Sequence, residues 1–290
     1  MKVKGEGCQR IDSHVHVTPE DISANWHRYA EKEPYFSLLS HSRINKYASA
    51  QDVIQALDMD GFDKAVVFGF AFTDIGLCRY VNDYVIESIK QYPDRLIGFM
   101  VAPPGSRGFE KEIERCHKAG LRGLGELFPE GQGFDIADAH RTSALAEVCT
   151  EFNLPVLIHA NEPVGHYYPG KTNTGLRALE QFIENNADLK IVLAHWGGGL
   201  FFYETMGEVR KKCRNVYYDT AATPLLYSPD IYRAACSLGI SDKIFFGSDF
   251  PLLSHSRCIE TIFSSGISPA EQQLILGCNI QRLLNNLHPA

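Results

Sequence analysis

Eight short apolar runs alternate with longer amphipathic stretches along nearly the whole chain, and no other feature restricts its fold as strongly. The runs occupy 10–16, 64–70, 96–102, 121–128, 155–160, 190–196, 216–221 and 243–249. They are rich in Val, Ile, Leu and Phe, as strands buried on both faces must be. Helical patterns lie between them, at 50–60, 81–91, 109–119, 139–152, 175–186 and 228–238, and a last helix is expected over 268–284. Val53, Ile54 and Leu57 show the helical spacing in the first of these, and Asp138, Thr174 and the pair Ser228-Pro229 stand where helices should start. Eight strand-then-helix repeats in 290 residues predict an α/β fold, a (β/α)8 TIM barrel, as one domain over 1–290 with its core in 10–284. A doubly wound open sheet is the alternative. It expects a glycine-rich phosphate loop after the first strand, where this chain has HVHVTPE.

Two connections exceed the usual length. One is an insertion after strand one, from 17 to about 49, holding Trp26, Tyr29, Tyr35 and Phe36. The other, NEPVGHYYPGKTN at 161–173, follows strand five. Both leave the C-terminal ends of strands, the face on which barrels of this kind carry their sites.

Charge excludes some partners. With 28 basic and 35 acidic residues the net charge is −7, which disfavours nucleic acid and suits a small-molecule substrate. The one basic cluster, Arg210, Lys211, Lys212 and Arg214, reads as a solvated helix end. No signal peptide and no membrane span are expected, and the eight scattered cysteines, with no CxxC pair, read as reduced thiols of a cytoplasmic protein.

The unusual polar residues fall at strand ends. His14 and His16 sit in DSHVH on strand one, where a side-chain period of two puts both on one face. Such a pair is either a chance surface feature or two arms of a metal site. Glu126 ends strand four, His159 strand five, His195 strand six and Asp249 strand eight. A closed barrel brings all six to one mouth, and imidazoles and carboxylates are the ligands of zinc and related divalent metals. Gly197, Gly198 and Gly199 are expected to keep backbone bulk away from the open side of such a site. Glu162, His166, Tyr168 and Lys171 in the loop after strand five, and His255 after strand eight, are candidate substrate-binding residues. His27, His41, His117, His140 and His288 have no evident partner.

DSHVH, AHWGGG, FGSDFP and the closing GCNIQRLL together resemble the amidohydrolase superfamily, over about residues 10–284, and within it the amidohydrolase 2 branch that includes the aminocarboxymuconate semialdehyde decarboxylase relatives. The resemblance implies one zinc on His14, His16, His159 and Asp249, with His195 assisting catalysis. It leaves Glu126 open: GLGEL is similar to the strand-four segment of TatD-like nucleases, where a glutamate bridges two metals, so Glu126 is either a bridging ligand, with His159 and His195 on a second metal, or a carboxylate that supports the ligands or binds substrate. Zinc fits best; manganese, cobalt or iron also suit these ligands.

The expected activity is hydrolysis of an amide, ester or lactone bond of a small molecule by metal-activated water, with Asp249 and His195 as the catalytic pair. Non-oxidative decarboxylation or hydration of a small unsaturated or aromatic acid is the alternative. It asks for a cation to hold a carboxylate, with Lys171, Arg257 and Arg79 as candidates. A metal-binding barrel without catalysis is the third reading. A homodimer or larger homo-oligomer is expected by resemblance.

Overall fold

The computed structural model describes residues 8–287, so His288 lies outside the described part. All eight expected strands are present: β1 (Ile11–His16), β2 (Lys64–Phe68), β3 (Leu96–Gly98), β4 (Leu124–Leu127), β5 (Val156–Ile158), β6 (Ile191–Leu193), β7 (Val216–Asp219) and β8 (Ile244–Phe245). Each pairs in parallel with the next, in the groups β1-β2-β3 and β4-β5-β6-β7-β8. Backbone bonds close the two gaps. Met100 N–H donates to Gly123 and Gly125 N–H to Met100, which joins β3 to β4; Ser13 N–H donates to Phe246 and His16 N–H to Phe250, which joins β8 to β1. The result is a (β/α)8 barrel.

The barrel has two apolar layers because strand side chains alternate. Val66, Phe68, Leu157, Val192 and Phe245 point inward, while Ala65, Val67, Val156, Ile191 and Ile244 meet the surrounding helices. Helix Asn279–Asn285 plugs the end opposite the site, with Ile280, Leu283 and Leu284 packed on Ile11, Phe99 and Phe245.

Two β-bulges aim the polar residues. β1 gains one residue relative to β2 between Asp12 and Val15, and β4 shifts by one relative to β5 between Leu124 and Leu127. A bulge reverses the in–out alternation beyond it. Ile11 points into the barrel, yet Val15 packs outward, so His14 and His16 share the inner face; Leu124 and Leu127 both pack outward and Glu126 turns in.

The helices hold the expected order, with differences at their ends. Ala50–Asp60 is as read, fixed by a Ser49–Asp52 capping box. The next begins at Ile75 rather than 81, because Asp74 caps it through Leu77 N–H. Asp138 caps Ala139–Glu151, but Thr174 and Ser228 cap nothing: Leu176–Asn185 starts behind Gly175, and Ser228 bonds to Asp230. The expected helix over 268–284 is broken into Pro269–Gln273, a wide turn at Leu274–Cys278 and Asn279–Asn285. The break lies where Gly277 presses on the backbone at Gln9, and a Cβ there would stand 1.8 Å from the Gln9 carbonyl oxygen. Helix His255–Ser264 was not expected from the sequence. The basic cluster closes Gly207–Lys212 as expected, with Lys212 paired to Glu180 and Glu184 and Arg214 to Asp188.

The expectation of reduced thiols fails for one pair. Cys8 and Cys278 form a disulfide with Cα atoms 5.2 Å apart. Residues 270 positions apart meet only because the start of β1 and the last helical segment share the closed end of the barrel. Among the described residues, no helix is long and apolar enough to cross a membrane.

Arg79, a candidate substrate cation, is used structurally. Its Nε donates to Glu112 (3.0 Å), a fully buried carboxylate that also accepts from Arg115 and Asn82 and so joins helices Ile75–Gln91 and Phe109–Lys118. Burial would raise the Glu112 pKa, but these donors outweigh it and hold it at about 2. A carboxyl depressed on folding stabilises above its unfolded pKa, and that contribution fades as pH falls toward the folded value. Glu112→Gln should therefore cost about 2–3 kcal/mol at neutral pH. The gap to the unmodified protein should narrow between about pH 4.5 and about pH 2. Denaturant titrations at pH 7 and pH 3 check this; a cost independent of pH would rule out the ionic account.

Candidate metal centre

The mouth of the barrel gathers the six expected residues. His14, on the inner face at the β1 bulge, is fully buried; its Nδ1–H donates to Asp219 Oδ2 at 2.9 Å. A carboxylate only accepts here, which fixes the tautomer and turns Nε2 toward the mouth. Around His14 Nε2 stand His16 Nε2 at 3.3 Å, Glu126 Oε2 at 3.5 Å and Asp249 Oδ1 at 3.7 Å. His16 Nε2 is 3.3 Å from Asp249 Oδ1 and 3.6 Å from Glu126 Oε2. His14, His16 and Asp249 form one group able to hold a metal ion, and His14, Glu126 and His195 form another.

These spacings fit a small divalent ion. Ligands at 2.0–2.2 Å in a tetrahedron lie about 3.3–3.6 Å from one another. The separations of His14 and His16 from each other and from Glu126 and Asp249 run from 3.3 to 3.7 Å.

His195 and His159 meet this group on the other oxygen of Glu126. His195 Nε2 is 3.4 Å from Oε1, while its Nδ1–H donates to the Ala221 carbonyl at 3.1 Å. His159 Nδ1 is 3.0 Å from Oε1, and its Nε2 is 2.9 Å from the Gly170 carbonyl. Both ring nitrogens of His159 thus face oxygens.

Burial and charge oppose each other across the cluster. Burial would lower the His14 pKa, but Asp219 and Glu126 raise it well above its ordinary value; burial likewise would lower that of His195, but Glu126 and Asp249 bring it to about 9. Burial would raise Asp249, but the hydrogen bond to His16 and the His14 charge hold it at about 2; Glu126 is held well below the usual range by His14, His159 and His195. His195 and Asp249 also adopt left-handed backbone (φ 54° and 64°), a cost sustained only where the surroundings enforce it.

Two supporting residues were missed in the sequence. Asp219, at the end of β7, accepts from His14, from His195 N–H and from Ala221 N–H. Asp12 accepts from His14 N–H, Ser248 N–H and the Ser248 hydroxyl, tying β1 to the turn that carries Asp249. An acid at the end of an apolar strand, the signal used for Asp249, would have found Asp219.

A cavity of about 350 Å³ opens above the cluster. His16, Glu126, His159, His195 and Asp249 form its floor; Phe36, Phe70, Phe128 and Tyr47 line its walls, and Lys46 stands at its rim. The insertion after β1 thus covers the mouth. Glu33 anchors it, accepting from Thr73 N–H, Asp74 N–H and the Thr73 hydroxyl.

Of the expected substrate-binding residues, His166 and Tyr168 line the cavity. Glu162 lies behind Tyr168, whose hydroxyl donates to it at 2.8 Å. Lys171 folds back on the carbonyls of Val164 and His166. His255 lies outside the barrel wall, between Phe62 and Phe250 with Nε2 3.0 Å from Asp12. Arg79 and Arg257 do not reach the cavity; Lys46 is the lining residue with a permanent cation. The glycine run also acts differently from expectation. A Cβ on Gly198 would stand 2.2 Å from the Asn161 carbonyl oxygen and one on Gly197 2.9 Å from the Tyr218 ring, so these glycines let β6 approach the turn after β5 and β7 rather than clear the cavity.

The chain belongs to the amidohydrolase family, whose model matches residues 11–285. No curated protein matches the sequence. Among solved structures, the fold is similar to 5-carboxyvanillate decarboxylase from Sphingomonas paucimobilis (TM-score 0.69, 17% identity, covering 96% of this chain and 99% of that one). It is also similar to a dihydroxybenzoic acid decarboxylase from Polaromonas sp. JS666 with bound manganese and the inhibitor 2-nitroresorcinol (0.70, 18%, 96% and 97%). A third is a probable 2-pyrone-4,6-dicarboxylic acid hydrolase from Acinetobacter baumannii with citric acid bound (0.66, 18%, 96% and 99%).

Proposed function

We propose that this protein is a hydrolase of a small molecule, cleaving an amide, ester or lactone bond with one divalent metal held by His14, His16, Glu126 and Asp249. The observation that carries the reading is the approach of His14 and His16 to each other and to both carboxylates, at 3.3–3.7 Å, beneath an apolar cavity. Glu126 takes the place that the family resemblance gave to His159, because both His159 nitrogens already face oxygens. Two imidazoles and two carboxylates suit zinc or manganese.

Bound there, the metal supplies Lewis acidity and lowers the pKa of water. The residues do the rest. Asp219 holds His14 in one tautomer. Asp249, ionised at neutral pH, accepts a proton at a carboxylate oxygen and returns it to the leaving group. His195, its Nδ1–H held by the Ala221 carbonyl, places Nε2 on the cavity floor, where its protonated form donates to charge developing on the scissile oxygen. The aromatic walls take the body of the substrate and exclude water from it.

Non-oxidative decarboxylation stands as the second reading, supported by the aromatic lining and by the decarboxylases of similar fold. The distinguishing experiment supplies metal-loaded protein with aryl esters, lactones and hydroxybenzoates, following acid release and carbon dioxide release in parallel. Acid without carbon dioxide supports hydrolysis; carbon dioxide from a hydroxybenzoate overturns it in favour of the second reading. Asp249→Asn should lower either turnover by about 10²–10⁴-fold, and full activity in that variant would remove Asp249 from the mechanism.

A further inference from the structure

One group behind the cavity wall has no part in the chemistry above. Glu162 sits in the loop after β5, with Oε2 accepting the Tyr168 hydroxyl at 2.8 Å. Its Oε1 is buried without a regular hydrogen bond, as is the hydroxyl of Tyr227. Burial and the nearby Glu162 charge push both phenols up, so each keeps its proton. Tyr168 lines the cavity and Glu162 does not, so the tyrosine stands between the carboxylate and any ligand. The loop is pinned in this arrangement: Asn161 Oδ1 accepts from Thr172 N–H and its hydroxyl, and Asn173 side-chain N–H donates to Glu130.

A phenol has one proton and retains acceptor capacity on its oxygen. We infer that the Glu162–Tyr168 pair is a polarity filter: with its proton committed to Glu162, Tyr168 offers a ligand only an acceptor, and so selects substrates bearing a hydrogen-bond donor, a hydroxyl or an amine, on the ring or chain that fills the cavity. A ligand with an acceptor at that point meets an oxygen with no hydrogen to give, and burial makes the unmatched pair costly. The inference rests on the reading of this cavity as the substrate site.

The test is binding, not turnover. Hydroxybenzoates and fluorobenzoates substituted at ring positions 2, 3 and 4 are near-equal in size and differ in donor capacity. Their affinities for the metal-loaded protein are measured by calorimetry. At one ring position hydroxy should exceed fluoro by at least about tenfold. That ratio should fall to near one in Tyr168→Phe, and should shrink in Glu162→Gln, where the amide can donate to Tyr168 and release its hydrogen toward the ligand. Thermal melts of both variants establish that they are folded. A ratio near one at every position in the unmodified protein, or one unchanged in Tyr168→Phe, overturns the filter while leaving the cavity reading intact. No binding by any benzoate overturns the cavity as a small-acid site, and the filter with it.

Discussion

The double variant His14→Ala, His16→Ala is expected to lose essentially all bound metal while keeping the circular dichroism of the folded barrel. The two imidazoles supply half of the four proposed ligands, and His14 is the member common to both groups able to hold an ion. Without them Asp249 loses both imidazoles beside it, and Glu126 keeps only His159 and His195 on its other oxygen, a poor site for zinc or manganese. Single variants separate the two carboxylate-facing roles. Glu126→Gln should weaken metal affinity by about 10–100-fold or more. His159→Asn should retain the metal, since its nitrogens face Glu126 and the Gly170 carbonyl. Elemental analysis after loading and desalting checks all three. One ion per chain, lost in the double variant and in Glu126→Gln but kept in His159→Asn, is the expected pattern. Two ions per chain, or loss in His159→Asn with retention in Glu126→Gln, would transfer the ligand role back to His159.

The second large effect lies at the opposite end of the barrel. Cys8 and Cys278 close a loop of nearly the whole chain. Cross-linking so long a loop removes unfolded-state entropy worth about 5 kcal/mol in the chain-entropy limit, with about 2–4 kcal/mol typical of measured bridges. A reductant should therefore lower the melting temperature by roughly 10 °C, and Cys8→Ser should melt at the reduced temperature with or without reductant. Equal melting in oxidised and reduced protein would mean that packing of Ile280, Leu283 and Leu284 into the barrel floor secures the C-terminus alone.

The strands were legible because barrel strands are short, apolar and bounded by amphipathic stretches. The positions of His14, His16, Glu126, His195 and Asp249 were legible for a related reason: polar side chains at the ends of apolar runs are conspicuous. Asp219 carried the same signal and was overlooked, while Asp12, near the start of β1, carried none; each acts on another side chain. The bulges in β1 and β4 were not readable, because an extra residue in one strand appears only when its neighbour is beside it. Period two had nevertheless put His14 and His16 on one face, since the alternation holds from His14 through Val15 to His16. Distance along the chain hid the rest. Cys8 with Cys278, Arg79 with Glu112, and His255 with Asp12 are pairings that only the closed ring creates. Lys171 looked like a substrate anchor and instead satisfies carbonyls of its own loop.

The left-handed run from His195 to Gly199 divides the mouth into two parts that evolution can treat differently. On the β6 side, Gly198 tolerates no side chain because a carbonyl oxygen already fills that place. Trp196 is sealed from solvent, its indole N–H given to Thr223. Drift there breaks the scaffold before it alters what the cavity accepts. On the β1 side, the cavity is faced by Leu39, Ser40, Ser42, Ile44, Asn45 and Lys46, which belong to an insertion outside the barrel ring. New substrate preferences can be sampled on that side by ordinary point substitution, with the metal-facing floor untouched. Descendants and engineered variants of this chain should therefore diverge first in the 39–47 segment, while the segment from 195 to 199 stays nearly fixed.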